Sequence, residues 1–278
     1  MKIGFVDYYL SEWHANNYPA WIAELDPSFE IAYAWAELDR SPNDGVTSEE
    51  WCQKYGATLC ATLEELCERS DAIFILSPDD PDRHLPYART VFSYRKPTYV
   101  DKTFAPDLAT AKEIFAIAAQ YGTPFFSASS LRFAKELKLY EGCREMMVMG
   151  AGANFEVELI HPIEMVVTVM GQGARRVKTE RFGAQTYVHI GYDDGRCANM
   201  MLARSLPYAV YLSDGTAKGP RPVTATVEPI FFKALMADIL RFFQTLEVSF
   251  DTAETLEVIR LRDGILASLD SQGSWLEI

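Results

Sequence analysis

The chain has 278 residues, 49% of them hydrophobic, and a formal net charge of −13. This length and hydrophobic content are enough for two globular domains, each with its own core. The acidic balance argues against a nucleic acid or an anionic membrane surface as partner, because both attract clustered Lys and Arg. The composition therefore favours a small-molecule partner.

Targeting and cysteine patterns give little sign of an exported or metal-bound protein. No segment approaches the roughly 20 apolar residues that cross a bilayer, and the first residues lack the pattern of a signal peptide. The five cysteines are odd in number and form no C-x-x-C pair, which predicts reduced thiols. We therefore expect a cytoplasmic protein with no metal site.

The first half alternates short apolar strands with amphipathic helices. Buried strands separated by helices predict a doubly wound parallel sheet of Rossmann type. The predicted strands are Lys2–Val6, Glu30–Ala36, Ala72–Leu76, Thr98–Val100 and Pro124–Phe126, and the predicted helices are His14–Leu25, Ser48–Tyr55, Thr62–Glu68, Asp82–Phe92 and Asp107–Tyr121.

The first turn departs from the usual dinucleotide-binding pattern. A Rossmann domain normally carries G-x-G-x-x-G there, so that backbone lies against a pyrophosphate. In this chain the turn is Asp7 to Glu12, and no glycine occurs between Gly4 and Gly45. We predict that this turn is incompatible with the usual close approach of a pyrophosphate. A helix N-terminus still offers N–H donors, which leaves Ser11 as a candidate phosphate ligand.

Ligands of such sheets bind at the carboxyl ends of the strands. Glu37 and Asp39 follow the second strand. If a dinucleotide binds, a carboxylate there accepts from the ribose 2′-hydroxyl and repels a 2′-phosphate, which favours NAD over NADP, although acidic surface residues are an equal alternative. Lys102 follows the fourth strand and is suited to stabilising negative charge on a substrate oxygen, although a solvated loop lysine is the alternative.

The second half contains segments typical of an antiparallel sheet, followed by two helical segments. The helical periodicity runs through residues 231–243 and 256–269 and predicts a cover for one face of the sheet. The strand-like segments are Asn154–Ile160, Arg175–Phe182, Thr186–Tyr192, Ala198–Ser205 and Ala209–Ser213. Val188, Ile190, Met200 and Leu202 share one face at period 2, from which we predict a homo-oligomer, first of all a dimer.

Several motifs in a shared order resemble the Gfo/Idh/MocA family of oxidoreductases over nearly the whole chain. Ser77-Pro78 after an apolar strand and His84 opening a helix match its pattern, and Asp101-Lys102-Thr103 stands where the family has Glu-Lys-Pro. The motifs that continue the resemblance are Arg132-Phe133, His161-Pro-Ile-Glu164, Gly171 and the closing segment Ser268 to Ile278.

The resemblance implies a Rossmann-type domain, here residues 1–126, followed by an α+β domain with a mostly antiparallel open sheet, residues 127–278. It implies NAD(P)-dependent oxidation or reduction of a sugar, cyclitol or related molecule. By family position His161 is the acid/base and Lys102 its electrostatic partner. Ser11, Glu37, Ser77, Pro78, His84 and Lys102 correspond to cofactor positions.

Two departures from the family pattern keep a second function open. The glycine fingerprint is missing, and Val157 stands where the family commonly has an Asp four residues before the histidine. The alternative is a catalytically silent member that binds a ligand or partner. Glu164 either stabilises the start of its helix or orients His161.

Overall fold

The computed structural model describes residues 1–150, 154–271 and 273–278. Within these residues the chain forms two compact units, one of residues 1–128 and 236–252, the other of residues 129–235 and 253–278. The chain thus enters the first unit twice. No helix among the described residues is both long and apolar enough to cross a bilayer.

The first unit contains a parallel sheet, as the alternation of strands and helices predicts. Its described strands are ordered β3-β2-β1-β4-β5-β6, and every pairing is parallel. The strands are β1 (Lys2–Asp7), β2 (Glu30–Ala36), β3 (Thr58–Leu59), β4 (Ala72–Ile75), β5 (Thr98–Val100) and β6 (Phe125–Phe126). The winding reverses between β1 and β4, so the carboxyl ends of these two strands flank the crevice where such sheets bind ligands.

Helices alternate with these strands. They are α1 (Trp13–Leu25), α2 (Ser48–Tyr55), α3 (Leu63–Arg69), α4 (His84–Val91) and α5 (Leu108–Tyr121). A short 3₁₀ turn, Pro81–Arg83, precedes α4 and begins with a proline, which is well tolerated at the start of a helix. The predicted helix bounds are therefore accurate to within one or two residues except at this turn.

A row of aromatic side chains crosses the first sheet. Phe5, Phe74, Tyr99 and Phe126 are register partners on successive strands, and their ring centroids are 5.2–5.5 Å apart. Aromatic cross-strand neighbours of this kind stabilise a sheet face. Residues 236–252 bring Phe243 to 5.3 Å from Phe74, which explains why this late segment belongs to the first unit.

The second unit is built on a mostly antiparallel sheet, ordered β12-β11-β7-β10-β9-β8-β13 among the described strands. Of the strand pairs that the structure describes in this sheet, only β7–β10 is parallel. The strands are β7 (Glu145–Gly150), β8 (Ala174–Phe182), β9 (Gln185–Tyr192), β10 (Cys197–Ala203), β11 (Ala209–Ser213), β12 (Val223–Thr226) and β13 (Leu276–Glu277). Position 272, within the closing segment of the family pattern, lies outside the described residues.

The helices of this half are α6 (Phe155–Glu158), α7 (Ile160–Met170), α8 (Phe231–Thr245) and α9 (Ala253–Ser268). In the second unit α7 and α9 pack on one sheet face. Val188, Ile190, Met200 and Leu202 are buried on it. These four residues are therefore core residues and do not support the prediction of an oligomer. An oligomer would have to form through the opposite face of the sheet.

The prediction of a strand over Asn154–Ile160 is wrong, because this segment forms α6 and the start of α7. The period-2 spacing of Phe155, Val157 and Leu159 is typical of a strand, but Glu156 and Glu158 favour a helix. The inner strand that the sequence did not predict is β7, between β11 and β10, whose methionine-rich sequence EMMVMG has weak strand propensity.

Candidate functional site

A carboxylate bridges the switch point of the first sheet. Asp7, the last residue of β1, accepts from the N–H of Ser77, 3.0 Å away, and from the N–H of Tyr8, 2.7 Å away, both through Oδ1. Ser77 follows β4 with φ 63°, the left-handed conformation, and its hydroxyl also lies 3.3 Å from Asp7 Oδ1. Asp7 therefore ties β1 to the turn after β4 across the crevice.

The start of α1 is capped by a side chain of the same turn. Glu12 is the N-cap, and its carboxylate accepts from the N–H groups of His14, at 2.6 Å, and Ala15. These amides belong to the first turn of α1, where a Rossmann domain holds the cofactor pyrophosphate. The Glu12 carboxylate thus takes the place of a phosphate oxygen.

Burial gives these acids unusual proton affinities. Desolvation, reinforced by the nearby Glu12 and Asp101, raises the pKa of Asp7 well above its ordinary value despite its backbone hydrogen bonds. Desolvation also raises the pKa of Glu12 to about 7, against the opposing effects of His14 and the two N–H donors. The turn therefore concentrates protonatable carboxyl groups where a dinucleotide would place negative charge.

A histidine–aspartate pair lies beside this turn. Asp101, directly after β5, is buried and contacts His14 Nδ1 through Oδ2. Its Oδ1 accepts from the N–H of Lys102 at 2.8 Å and from the hydroxyl of Tyr99 at 3.2 Å. Burial raises the pKa of Asp101, but His14 and the charge and N–H group of Lys102 outweigh it, so that the pKa lies below its ordinary value.

Lys102 occupies the expected position after a strand of the first sheet. It is half-buried, and its ammonium charge contributes to the lowered pKa of Asp101. This proximity places a cation at the carboxyl edge of the sheet, beside the His14–Asp101 pair. The geometry is suited to stabilising negative charge on a ligand oxygen there.

The candidate cofactor residues Glu37 and Ser11 are held by neighbouring side chains. Glu37 accepts from Tyr87 at 2.9 Å and pairs with Arg83, also at 2.9 Å. The Arg83 guanidinium lies over the ring of Tyr8, 4.6 Å from its centroid. Ser11 donates to Asp44 at 2.7 Å. Both residues are already engaged in polar contacts within the first unit.

The other family-analogous positions belong to the interior of the first unit. Pro78 is buried, and His84 is fully buried between two carbonyl groups. Its Nδ1 lies 3.0 Å from Phe104 O, and its Nε2 contacts Leu76 O. His84 thus links the end of β4 to the loop after β5.

In the second unit a hydrogen-bonded chain supports His161. Ser129 Oγ lies 2.7 Å from His161 Nδ1, on the first turn of α7. The backbone N–H of Ser129 also interacts with Glu164, one helical turn beyond His161, and opposes the rise that burial causes in the pKa of its carboxyl. Glu164 is therefore connected to His161 through Ser129. Val157 lies in α6 with 37% of its surface exposed.

Glu164 is part of a buried ion-pair cluster. Arg132 Nε lies 2.5 Å from Glu164 Oε1, and Arg132 Nη1 lies 2.6 Å from Glu254 Oε2. Burial raises the pKa of Glu164, and the attraction of Arg132 opposes this rise. The cluster joins the loop before β7 to α7 and α9, so Glu164 has a structural role as well as its link to Ser129.

The structure thus brings Lys102, Ser77, Pro78 and His84 to one edge of the first sheet, while His161 belongs to the second unit. Sequence reasoning missed the support that Ser129 gives to His161 and the pairing of His14 with Asp101. The position of Asp101 directly after an apolar strand was a signal for the latter. Among the described residues, no group of three or more His, Cys, Asp or Glu side chains is arranged to hold a metal ion.

Comparison with solved structures finds whole-chain similarity to dehydrogenases. A scyllo-inositol dehydrogenase from Lactobacillus casei matches with a TM-score of 0.79 at 13% identity, covering 100% of this chain and 98% of that one. A UDP-N-acetylglucosamine 3-dehydrogenase from Acidithiobacillus ferrooxidans matches with a TM-score of 0.76 at 12% identity, covering 98% of each chain. An oxidoreductase from Agrobacterium radiobacter, in complex with NAD⁺, L-tartaric acid and magnesium, matches with a TM-score of 0.77 at 13% identity, covering 100% and 98%.

These matches establish the fold, a Rossmann-like unit combined with a second unit on a mostly antiparallel sheet. No family model matches the sequence, and no curated protein is significantly similar to it. The family resemblance therefore rests on the fold and on the ordered motifs.

A nicotinamide dinucleotide fits this chain in part. Glu37 at the end of β2 is an acceptor suited to a ribose hydroxyl. The amides of His14 and Ala15 do not fit a pyrophosphate, because Glu12 occupies them and its charge would repel one. The usual pyrophosphate pose is therefore closed in this structure.

Proposed function

We propose that the protein is an oxidoreductase that acts on a hydroxyl or carbonyl group of a sugar, cyclitol or related small molecule with NAD(H). The fold shared with sugar and cyclitol dehydrogenases supports this proposal. The observation that carries it is the hydrogen bond between Ser129 and His161 Nδ1. It fixes the orientation of the imidazole through Nδ1, and in this proposal Nε2 exchanges a proton with substrate.

In this proposal His161 accepts the hydroxyl proton as the alcohol is oxidised and returns it in the reverse direction. The O–H bond of the substrate breaks and an N–H bond forms at Nε2. Lys102 stabilises the negative charge that develops on the substrate oxygen. The bound dinucleotide supplies the hydride acceptor, and Glu37 is the residue that would contact its ribose.

The proposal requires a dinucleotide pose that does not use the amides of His14 and Ala15. It also predicts only a modest preference for NAD over NADP, because Arg83 offsets part of the charge with which Glu37 would repel a 2′-phosphate. We expect Arg83→Ala to sharpen the preference for NAD in paired titrations with NADH and NADPH. An unchanged ratio of the two dissociation constants would argue against the role of Glu37.

The test is a screen of sugars and cyclitols with NAD and NADP, followed at the nicotinamide absorbance band. For an active substrate we expect His161→Asn to lower kcat by about 100-fold, the usual contribution of general acid–base catalysis. His189→Asn is the matched control, because His189 lies on β9 and contacts Asn199. Undiminished turnover of the His161 variant would reject the assigned role.

A second candidate function is favoured by the Glu12 cap. A protein whose own carboxylate holds the first amides of α1 is suited to binding a small molecule without dinucleotide turnover. This candidate predicts that neither NADH nor NADPH binds, and that a hydroxylated ligand still does. Micromolar binding of either dinucleotide would exclude it.

A further inference from the structure

The His14–Asp101 pair lies in the first unit and is separate from the His161 chain of the second. Asp101 is fixed from three sides, by His14 Nδ1, the N–H of Lys102 and the hydroxyl of Tyr99. Such a carboxylate holds the facing imidazole in one orientation and with the proton on Nδ1. In the neutral imidazole Nε2 then carries the lone pair and is the nitrogen that accepts a proton.

The surroundings leave this nitrogen available for a ligand. No hydrogen-bond partner lies at His14 Nε2 within residues 1–150, 154–271 and 273–278, and 9% of the side-chain surface is exposed. The ring stacks on Tyr18, with centroids 5.2 Å apart and planes 8° apart, so it cannot turn freely. Both ring nitrogens of the fully buried His84, by contrast, lie against backbone carbonyl groups.

A second observation at the same edge points to a ligand. Asp7 Oδ2 is buried and has no hydrogen-bond partner among the described atoms, although Oδ1 of the same carboxyl has several. An unpaired buried oxygen costs free energy unless something occupies the remaining position. The carboxyl groups of Asp7 and Asp101 interact electrostatically, and therefore belong to one cluster.

We propose that His14 is the base of a second proton-transfer site, which takes the hydroxyl group of a small neutral or anionic molecule at the carboxyl edge of the first sheet. The O–H bond of the ligand breaks and an N–H bond forms at His14 Nε2. The electron pair stays on the ligand oxygen, where the ammonium of Lys102 balances its charge. Asp101 holds the imidazolium in place, and the proton returns to the oxygen before release.

This site goes beyond the proposed oxidoreductase function, which assigns the base to His161. It shares Lys102 with that proposed function but involves neither His161 nor a dinucleotide. If the protein does not bind NAD(H), the proposed role of His14 is unaffected. If the His14 proposal is wrong, the proposed role of His161 is unaffected.

The test uses diethyl pyrocarbonate, which acylates the unprotonated imidazole nitrogen, with modification of each histidine followed by mass spectrometry on the full-length protein. At pH 7 we expect His14 to react, whereas the fully buried His84 does not. Asp101→Asn should lower the His14 rate at least about tenfold, because an amide no longer fixes the proton on Nδ1. Tyr18→Phe is the matched control and should leave the rate unchanged, since it keeps the stacked ring.

A measurement on the unaltered protein covers the case in which Asp101→Asn does not fold. Nitrogen-15 spectra of the imidazole should show His14 as the Nδ1–H tautomer. An Nε2–H tautomer would overturn the proposal. So would a His14 that reacts no faster than His84, or a rate that Asp101→Asn in a folded protein leaves unchanged.

Discussion

Glu12 does at the start of α1 what a bound phosphate does in dinucleotide-binding domains, because it accepts from two free N–H groups at the positive end of the helix. Burial makes this contact costly when the carboxyl is ionised. The pKa of Glu12 is about 7 in the folded protein against 4.5 in an unfolded chain. Between these values the folded state binds more protons than the unfolded state.

The free energy of unfolding should consequently fall as pH rises through this window, and the loss should be complete above about pH 7. Glu12→Gln keeps an acceptor for the helix amides and removes the titration, so we expect a flatter dependence between pH 4.5 and 7. Chemical denaturation across this range measures the effect. Asp44→Asn serves as control, because the pKa of Asp44 is lowered and its removal cannot flatten a falling slope. An identical slope in wild type and Glu12→Gln would contradict the assignment.

A second prediction concerns the stability that the buried Arg132 cluster provides. Glu164→Gln removes one of two carboxylates from a buried guanidinium, and breaking such a pair costs about 3 kcal/mol in the free energy of unfolding. Glu228→Gln is the matched control, because the Lys135–Glu228 pair is more than 60% exposed on both sides and solvent screens it. Urea denaturation compares the two. Equal losses would show that the burial of Arg132 has no energetic role.

Among the elements, the parallel sheet of the first unit could be predicted and strand β7 of the second sheet could not. Buried runs such as AIFI of β4 are unmistakable between polar turns. In β7, Met146 and Val148 face the core while Met147 is 44% exposed, and methionine does not distinguish strand from helix. Residues 236–252 belong to the first unit because Phe242 and Phe243 contact its aromatic row, which is far away in sequence. No local sequence pattern predicts such a contact.

Some features of the candidate site could likewise be predicted from the sequence, and others could not. Lys102 at a strand end and His161 at a helix start follow from residue type and order, because both positions are local. The Glu12 cap, the Ser129 support and the His14–Asp101 pair join residues through side-chain directions and, in two cases, through distant segments. Spacing in the sequence does not determine such contacts.

Gly4 is required where β1 passes under α3. A Cβ built at this position would lie 2.6 Å from Leu66 Cδ2 and 2.4 Å from Ser70 Oγ, so α3 would have to move. We expect Gly4→Ala to lower the free energy of unfolding by about 1–3 kcal/mol, as overpacking does. In a Leu66→Ala background the same substitution should cost less, because one of the two side chains that it meets is gone. Additive effects of the two substitutions would show that the close contact is not the cause.

For the whole molecule we predict a dimer through the uncovered face of the second sheet. This open face carries Met147, Met149, Tyr187, Met201 and Tyr211, which are exposed or half-buried. Met201 is the cross-strand partner of both Tyr187 and Met149, so the apolar surface is continuous over three strands. Contiguous apolar surface on a sheet favours association with a second copy.

Light scattering should therefore return twice the chain mass of 31.3 kDa at micromolar concentration. Met201→Lys, which places a charge in the centre of the open face, should shift the protein towards the monomer. Lys218→Glu, on an exposed loop of the same unit, should not. A wild-type mass of 31.3 kDa would remove the dimer.

The most direct test of the central claim, an NAD(H)-dependent oxidoreductase whose first-helix amides are held by Glu12, is a calorimetric titration with NADH of wild type and Glu12→Gln. We expect saturable one-site binding of NADH in the micromolar range. The dissociation constants of the two proteins should agree within a factor of about three, which is a difference of about 0.65 kcal/mol in binding free energy. Absence of binding at about 1 mM NADH would contradict the cofactor. Binding that Glu12→Gln strengthens by about tenfold or more would contradict the pose, because it would show that Glu12 competes with the dinucleotide for the amides of His14 and Ala15.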